Sequence, residues 1–247
     1  MSVAHVWVGT SGWTYASWRG AFYPENLKSR HYLEYYARAF PTTEVNYSFY
    51  HLPRPQTYTN WANQVPENFL FSVKASRLIT HTKRLVDVEE AWRIFIDNAS
   101  TLGAQLGPIL LQFPPSFKAD KKRLEGFFKL TKRVLRRSPR LACEFRHESW
   151  FTKEIYRMLE KYGAALCIAD SPKYPRKEML TTDFTYIRFH GRSELFASRY
   201  SEEELSAEVK KIARYLKKGI EVFVYFNNDA RGYAVENARM LRSLLKA

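Results

Sequence analysis

The sequence predicts an α/β protein built as a (β/α)8 barrel, the TIM-barrel fold. Eight short apolar segments of the 247-residue chain have the composition of buried strands, and each ends in polar or ionisable side chains. Segments with helical periodicity alternate with these strands, a pattern typical of a parallel sheet covered by helices. Eight such units in about 250 residues match the size of a closed barrel. We therefore expect residues 1–247 to form a single TIM-barrel-like domain.

The predicted strands are short and rich in β-branched and aromatic residues. With their polar endings they span residues 6–11, 43–46, 69–74, 109–112, 141–150, 165–170, 186–190 and 222–229. Cys143 and Cys167, the only cysteines of the chain, each fall inside such an apolar segment. This placement predicts two buried core thiols rather than a disulfide or a four-cysteine metal site.

Six segments between the strands have helical periodicity. They span residues 29–40, 89–102, 120–137, 149–162, 201–218 and 233–245. Ser201 and Glu204 match the S-x-x-E capping box at a helix start, and Gly163 and Gly219 stand where a helix ends in a left-handed residue. Within 89–102, apolar residues recur every three or four positions, which predicts packing on the sheet.

Two further segments, 13–28 and 47–66, are rich in aromatic residues and proline and lack a clean helical period. We expect them to be loops over the C-terminal mouth of the barrel. Aromatic-rich loops in that position either wall a ligand pocket or pack as a plug over the barrel, and the sequence leaves both alternatives open.

A doubly wound open sheet is the competing fold. No Gly-x-Gly-x-x-Gly motif follows the first strand, and residues 9–13 are too short and too aromatic to cradle a dinucleotide. The chain also lacks a Gly-Lys-Ser/Thr phosphate loop. Nucleotide-binding folds are therefore less well supported than the barrel.

The chain carries a formal net charge of +14, which attracts polyanions over long distances. Much of the excess falls on the predicted helices 120–137 and 201–218, where it also fits an ordinary solvated surface. No run of 18 apolar residues and no secretion signal occur, so we expect a cytoplasmic protein without a membrane span. No protein partner is indicated.

The strands of a TIM barrel point their C-terminal ends at one face, so residues distant in sequence converge in one cleft. We take Glu44, Lys74, Glu144, Arg146 and His190 as candidate catalytic residues. Polar groups at the other strand ends and aromatic residues of the mouth loops are candidate ligand-binding residues. They are Ser11, Trp13, Tyr15, Asn46, Tyr47, Tyr50, Gln112, His147, Asp170, Asn227, Asn228 and Asp229.

Glu44 and Glu144 come from nearly opposite parts of the predicted barrel. Two facing carboxylates act in glycoside hydrolysis as general acid and base, or as acid and nucleophile. The alternative is that a neighbour such as Lys74 or Arg146 neutralises each carboxylate, so that the pair only ties the mouth together.

A divalent metal is a second interpretation, with Glu144, His147, Asp170 and His190 as ligands. No His-x-His or His-Glu-x-x-His motif supports it, so the cofactor stays unknown and the metal is not favoured. Ser11 does not meet the Gly-x-Ser-x-Gly spacing of a nucleophile elbow, and we expect it to serve the turn or an anion instead.

Nine motifs, in order along nearly the whole chain, resemble the domain of unknown function 72 family, also described as YecE-like. They are GTSGWTY (9–15), WRG (18–20), FYP (22–24), EVNYSFY (44–50), FSVK (71–74), LQFPP (111–115), EFRHESW (144–150), RFHG (188–191) and YFNND (225–229). The resemblance implies a TIM-barrel-like fold with the matching polar residues at its mouth, and it implies no known reaction. The family is similar in fold to barrel endonucleases that act on damaged DNA. This chain has no obvious counterpart of their several histidine ligands, which argues against a trinuclear-metal mechanism.

These observations lead to the hypothesis of a hydrolase that acts on an anionic phosphate- or sugar-containing ligand. Glu144 would be the general base or a metal-facing carboxylate and Glu44 the partner acid, while Lys74, Arg146 and His190 would stabilise negative charge. The alternative is a non-catalytic nucleic-acid-binding protein whose basic helices follow the phosphates while its aromatic residues stack on bases.

Overall fold

The computed structural model describes residues 4–135 and 139–246. Eight parallel strands close into a barrel in which each strand pairs with its neighbours in sequence and the last pairs with the first. They are β1 (Val6–Ser11), β2 (Thr42–Val45), β3 (Leu70–Lys74), β4 (Leu106–Gln112), β5 (Leu141–Glu144), β6 (Ala164–Asp170), β7 (Phe184–Phe189) and β8 (Glu221–Phe226). The predicted TIM-barrel fold is confirmed.

Helices surround this barrel. They are α1 (Tyr32–Ala39), α2 (Tyr47–Tyr50), α3 (Pro55–Ala62), α4 (Glu89–Ala99), α5 (Lys121–Val134), α6 (Lys153–Tyr162), α7 (Glu202–Lys217) and α8 (Tyr233–Leu245). Each predicted helix is present, but short 3-10 turns at Ser29–His31, Ser100–Gln105 and Glu148–Trp150 take the place of predicted helix ends. Arg136 and Arg137, at the end of the third predicted helix, lie outside the described residues. Residues 171–183, all described, connect β6 to β7 without a helix.

The prediction of a loop at 47–66 was wrong, because this segment contains α2 and α3. Pro55 occupies the first turn of α3, where its fixed φ and missing N–H suit a helix start, and Tyr58 is fully buried. One or two helical turns are too short to show a 3.6-residue period in the sequence, which explains the error.

The predicted helix ends are confirmed where the sequence marked them. Ser201 accepts a hydrogen bond from the backbone N–H of Glu204, and the Glu204 carboxylate accepts one from the backbone N–H of Ser201. Gly163 ends α6 in the left-handed region with φ of 63°, which a residue without Cβ adopts freely.

Two apolar layers hold the barrel. The larger lies between the sheet and the helices and contains the fully buried Trp92 and Trp150. The smaller fills the barrel interior, where successive strands contribute alternate residues. Its buried members are Leu110, Ala142, Ala165, Cys167, Phe184, Tyr186, Phe223 and Tyr225. Both cysteines are buried and free, as predicted.

The interior becomes polar toward the C-terminal ends of the strands. Tyr225, the next inward residue after Phe223 on β8, places its hydroxyl 2.8 Å from Thr42 Oγ1 and 2.7 Å from Ser72 Oγ. Register pairs such as Ser11 with Glu44 and Gln112 with Glu144 keep the strand ends level. Because alternate residues of each strand point into the barrel, polar side chains from several strands form a layer at its C-terminal mouth. No described helix is both long and apolar enough to cross a membrane.

Candidate active site

Arg188 is the centre of the polar layer. It follows Tyr186 by two residues on β7, so both side chains point into the barrel, and only 1% of Arg188 is exposed. Its Nη1 donates to Glu144 Oε2 at 2.6 Å and its Nη2 donates to Glu44 Oε1 at 2.7 Å. One guanidinium thus joins the carboxylates of β2 and β5, and we call Glu44, Arg188 and Glu144 the central triad.

Glu44 is held on both of its oxygens. The Ser11 hydroxyl donates to Oε1, and the Tyr186 hydroxyl donates to Oε2 at 2.6 Å. Burial disfavours the charge, but Arg188 and these hydrogen bonds outweigh burial and lower the pKa of Glu44. An ionised carboxylate has no proton to give at neutral pH, so the acid role expected for Glu44 does not fit this geometry.

Glu144 is likewise held ionised. The Nε of Arg146 donates to its Oε1 at 2.7 Å, in addition to the bond from Arg188. Burial opposes the charge, yet Arg146 and Arg188 hold the pKa of Glu144 well below its usual range. Such a carboxylate is a weak base, because it already accepts hydrogen bonds from two cations. The geometry favours an electrostatic role for it.

Lys74 ends β3 and is half-buried at the mouth. Its Nζ lies 4.0 Å from the centre of the Phe49 ring. Burial and the nearby Arg188 lower the pKa of Lys74 to about 7, although Glu44 and Glu144 partly oppose them. A lysine with this pKa is about half neutral at pH 7 and can accept a proton or attack an electrophile.

His190 is fully buried beside Glu144, with Nε2 3.6 Å from Glu144 Oε1. Asn227 Nδ2 lies 3.0 Å from the other ring nitrogen, Nδ1. Burial and Arg188 lower the pKa of His190 to about 4. The imidazole is therefore neutral at pH 7 and can stabilise negative charge only as a hydrogen-bond donor.

A cavity of about 600 Å³ opens at the β1 and β2 side of the mouth. Its wall includes Trp13, Tyr15 and Tyr47, which were predicted to wall a pocket, together with Asn46. It also includes residues that the sequence did not single out: Arg30, Leu33, Trp61 and Gln64. The Trp13 and Trp61 rings meet edge to face with centroids 5.3 Å apart. Tyr50, also predicted here, is 71% exposed and is not part of the cavity wall.

Asn46 connects this cavity to the central triad. Its Nδ2 donates to Ser11 Oγ at 2.7 Å, and Ser11 in turn donates to Glu44. Its Oδ1 is buried and accepts no hydrogen bond from the described residues. Ser11 is thus part of a hydrogen-bond chain, not of a strained nucleophile turn.

Gln112, His147 and Asn228, predicted as ligand-binding residues, form local contacts. Gln112 donates to the carbonyl of Phe113 at 2.9 Å, and His147 Nδ1 accepts the backbone N–H of Ser149. Asn228 is buried and donates to the side chain of Asn237 on α8. Each of these side chains thus has a local partner, and their role in ligand binding stays a prediction.

Asp170 and Asp229 lie in different surroundings. Asp170 pairs with Arg176 at 3.0 Å and with Arg192 at 3.6 Å, in a network that leads to α7 and away from the central triad. Burial raises the pKa of Asp229 to about 7, although a hydrogen bond with Tyr15 opposes the shift. Asp229 lies close enough to the mouth for Arg188 and Glu44 to affect its pKa, whereas Asp170, at the end of β6, pairs with arginines of the following loops.

Of the four proposed metal ligands, Glu144 and His190 lie together, but His147 and Asp170 do not complete a metal-binding group with them. Across residues 4–135 and 139–246, no group of three or more His, Cys, Asp or Glu side chains is arranged to hold a metal ion. His147 caps a short turn, Asp170 is paired with arginines, and Arg188 takes the place beside Glu144 where a cation would bind. The donor set does not fit a divalent metal.

Sequence reasoning missed Arg188 and Tyr186 as site residues. The signal was present, because Tyr186, Arg188 and His190 alternate with apolar residues and so share one face of a strand. Only the polar endings of the strands were taken as candidates. An arginine inside an apolar strand indicates a buried charge that needs partners.

A closed barrel of eight parallel strands surrounded by helices, with a polar layer at its C-terminal mouth, defines a TIM-barrel protein. Residues 7–247 match the family described as Protein of unknown function DUF72, and the chain belongs to that family. The resemblance noted in the motifs is thereby confirmed.

Relatives and solved structures agree with this assignment. The chain is 26% identical to UPF0759 protein YunF of Bacillus subtilis (strain 168), over 97% of this chain and 94% of that protein. It is 25% identical to UPF0759 protein YecE of Escherichia coli (strain K12), over 85% and 82%. A crystal structure of a DUF72 family protein from Thermotoga maritima MSB8 matches with a TM-score of 0.87 and 32% identity, over 98% of this chain and 100% of that chain.

Proposed function

We propose that the protein is a hydrolytic enzyme that acts at the barrel mouth on an anionic small molecule containing a phosphate or a sugar. The observation that carries the proposal is Lys74, whose pKa of about 7 suits proton transfer at neutral pH. It stands beside an ionised central triad that keeps a fixed geometry. Perturbed groups of this kind concentrate at functional sites.

Arg146 is the candidate anion-binding group. Glu144 fixes its Nε, and its guanidinium carbon lies 4.3 Å from the centre of the Tyr174 ring. Its side chain is 11% exposed, so it is positioned yet reachable. A guanidinium held in this way can bind a phosphate or carboxylate without first ordering its own side chain.

Lys74 would transfer the proton of the reaction. As the neutral amine it takes a proton from a water molecule, whose oxygen attacks the phosphorus or the anomeric carbon. The ammonium form returns that proton to the leaving oxygen, while Arg146 stabilises the developing negative charge. The aromatic cavity would hold the ring of the substrate, with Asn46 between the ring and the central triad.

The test is a hydrolysis screen of the purified protein with phosphomonoesters, phosphodiesters and glycosides between pH 6 and pH 9. For any substrate found, Lys74→Met should lower kcat by roughly 100-fold or more, since general acid–base catalysis contributes about that much. Lys210→Met, at an exposed position of α7, is the matched control and should keep full activity. Unchanged turnover in Lys74→Met would remove Lys74 from the mechanism.

Glu144→Gln tests the electrostatic role. The variant keeps the shape of the side chain but loses the charge that orients Arg146, so KM for an anionic substrate should rise. The thermal unfolding of this variant must be measured as well, because the substitution removes a negative charge that balances Arg146 and Arg188. Turnover and KM equal to those of the unaltered protein would remove Glu144 from the site.

Non-catalytic nucleic-acid binding is less well supported. Many of the basic side chains on the outer helices are already paired, as in Arg133 with Glu89, Lys161 with Glu125 and Lys211 with Glu178. Binding to phosphates alone should weaken steeply with salt and survive Glu144→Gln. Binding of a single-stranded DNA oligonucleotide with both properties, without any hydrolysis, would favour this alternative.

A further inference from the structure

Lys74 is a cation at the edge of a buried polar layer with no direct partner for its amine. Among the described residues, none forms an ion pair or a hydrogen bond with Lys74 Nζ, which lies over the face of Phe49, 4.0 Å from the centre of the ring. Some exposed lysines do have an anionic partner, since Lys161 bonds to Glu125 at 2.9 Å and Lys177 pairs with Glu148 at 3.0 Å; Lys74 differs from the unpaired exposed lysines that the structure describes in being partly buried beside two arginines.

The charges around Lys74 explain why it is short of a counterion. Glu44 and Glu144 face it across the mouth, but Arg188 and Arg146 already occupy their oxygens. His81, on the segment after β3, is neutral at pH 7, because burial and Lys74 itself lower the pKa of this imidazole to about 4. A desolvated lysine beside other cations is the environment that activates an amine as a nucleophile.

We propose that Lys74 is a nucleophilic amine that forms an imine with small aldehydes or ketones that carry an anionic group. The proposal rests on three observations: Lys74 Nζ at the end of β3 has no ion pair or hydrogen bond among the described residues, it lies over the face of Phe49, and the charges of Arg188 and Arg146 act on it. It goes beyond hydrolysis, and it shares Lys74 and the anion-binding mouth with the proposed function.

The reaction balances without a cofactor. The nitrogen lone pair of the neutral amine attacks the carbonyl carbon, and one N–H proton passes through solvent to the carbonyl oxygen, giving a carbinolamine. The hydroxyl group then accepts a proton and leaves as water, the nitrogen lone pair forms the C=N bond, and the nitrogen releases its second proton in exchange. One water molecule is released, and no electron is gained or lost.

Two features define the class of carbonyl compound. Arg146, fixed by Glu144, presents its charge to the same mouth and selects for a carboxylate or phosphate on the substrate. Lys74 is only partly exposed, so a carbonyl compound of a few carbon atoms can reach its amine more readily than a bulky one.

Reductive trapping tests the proposal on the unaltered protein. Protein is incubated with glyoxylate and sodium cyanoborohydride at pH 7, and peptide mass spectrometry follows labelling of every lysine with time. An ordinary lysine amine is neutral in roughly one molecule in 2,500 at this pH, against about half for Lys74. Since a less basic amine is also a weaker nucleophile, we expect Lys74 to be labelled at least tenfold faster than the exposed Lys210.

Acetaldehyde, a neutral aldehyde, measures the contribution of the arginine. Arg146→Met should slow labelling of Lys74 by glyoxylate several-fold more than labelling by acetaldehyde, because Arg146 both attracts the anion and helps to lower the pKa of Lys74. Labelling of Lys74 no faster than that of Lys210 would overturn the proposal, and equal loss with both aldehydes would overturn the anion preference. If an imine is trapped and no hydrolysis is found, the result supports the nucleophilic amine and contradicts the proposed hydrolase. If hydrolysis is found and no imine is trapped, the result supports the hydrolase and overturns the nucleophilic amine.

Discussion

Two arginines of this protein each bind several carboxylates, yet they lie in different kinds of site. Arg188 joins Glu44 and Glu144 inside the barrel and is almost completely buried. Arg176 pairs with Asp170, Glu178 and Glu208 between the loop after β6 and α7, and 19% of its side chain is exposed. We call Arg176 and its three carboxylates the Arg176 cluster.

The balance of charge separates these two regions. At the mouth, the carboxylates of Glu44 and Glu144 face three basic side chains, Arg188, Arg146 and Lys74, and the nearby Asp229, with a pKa of about 7, is only about half ionised at pH 7. Around the Arg176 cluster, the carboxylates of Asp170, Glu178, Glu204 and Glu208 exceed the cations of Arg176, Arg192 and Lys211. We therefore expect the mouth to accept an anion, whereas the cations around the Arg176 cluster are already paired with carboxylates. Residue type alone does not distinguish a binding site from a loop anchor.

Replacing the buried arginine should have the largest effect. Arg188→Met leaves Glu44 and Glu144 buried without their shared counterion, and we expect it to lower the free energy of unfolding by about 3 to 5 kcal/mol. Urea denaturation at pH 7 measures the change. A loss below about 1 kcal/mol would show that the central triad does not hold the mouth together.

Lys74→Met should act in the opposite direction and depend on pH. The pKa of Lys74 falls from 10.5 to about 7 on folding, so its charge opposes folding fully below pH 7, and this cost declines from pH 7 upward and disappears near pH 10.5. The variant should therefore be more stable than the unaltered protein at pH 6, by on the order of 3 kcal/mol, and the difference should shrink by pH 10. Denaturation series at several pH values, with Lys210→Met as the control, measure it. A difference that does not vary with pH would contradict the lowered pKa.

Arg176→Met should have a smaller effect than Arg188→Met, because water reaches the Arg176 cluster. We expect a loss of about 1 to 2 kcal/mol in the free energy of unfolding, from the hydrogen bond to Glu208 and the pair with Asp170. Ligand binding at the mouth should stay unchanged. A loss of activity as large as that of Lys74→Met would mean that Asp170 does belong to the functional site.

Arg192→Ala should have the smallest effect. Its side chain is 46% exposed, and its distances to Asp170, Glu204 and Glu208 are 3.3 Å or longer. Exposed pairs of this kind contribute roughly 0.5 kcal/mol or less. Thermal unfolding should hardly change, and a loss above about 1 kcal/mol would show that the network around α7 is more cooperative than its exposure indicates.

The barrel and the meeting of strand ends were predictable, because parallel strands and their periodicity depend on local composition. Glu44, Lys74, Glu144 and His190 do lie together at one mouth, as the fold required. What the sequence could not show is how charges pair across the barrel. Glu44 and Glu144 are 100 residues apart. Arg188, on a third strand, donates hydrogen bonds to both carboxylates and stabilises their ionised forms.

The residues that line the aromatic cavity could also be predicted only in part from the sequence. Trp13 and Tyr47 could be assigned to the mouth from their loops, but Trp61 and Arg30 reach the cavity from α3 and from the turn before α1. Short helices of one or two turns carry too little periodicity to be located in a sequence. Asp170 met the same strand-end criterion as Glu144 and nevertheless pairs with Arg176, because partner choice depends on loops whose course the sequence does not give.

The central claim is that the amine of Lys74 has no anionic partner among the described residues, at a mouth where basic side chains are in excess. The pKa of Lys74 tests this claim most directly. Heteronuclear NMR of isotopically labelled lysine, titrated from pH 5 to pH 11 and assigned with Lys74→Met, measures it in the folded protein. We predict a midpoint near 7 for Lys74, well separated from the other lysines. A midpoint near 10.5, the ordinary value for lysine, would mean that the amine is solvated and paired, and it would contradict both proposed roles of Lys74.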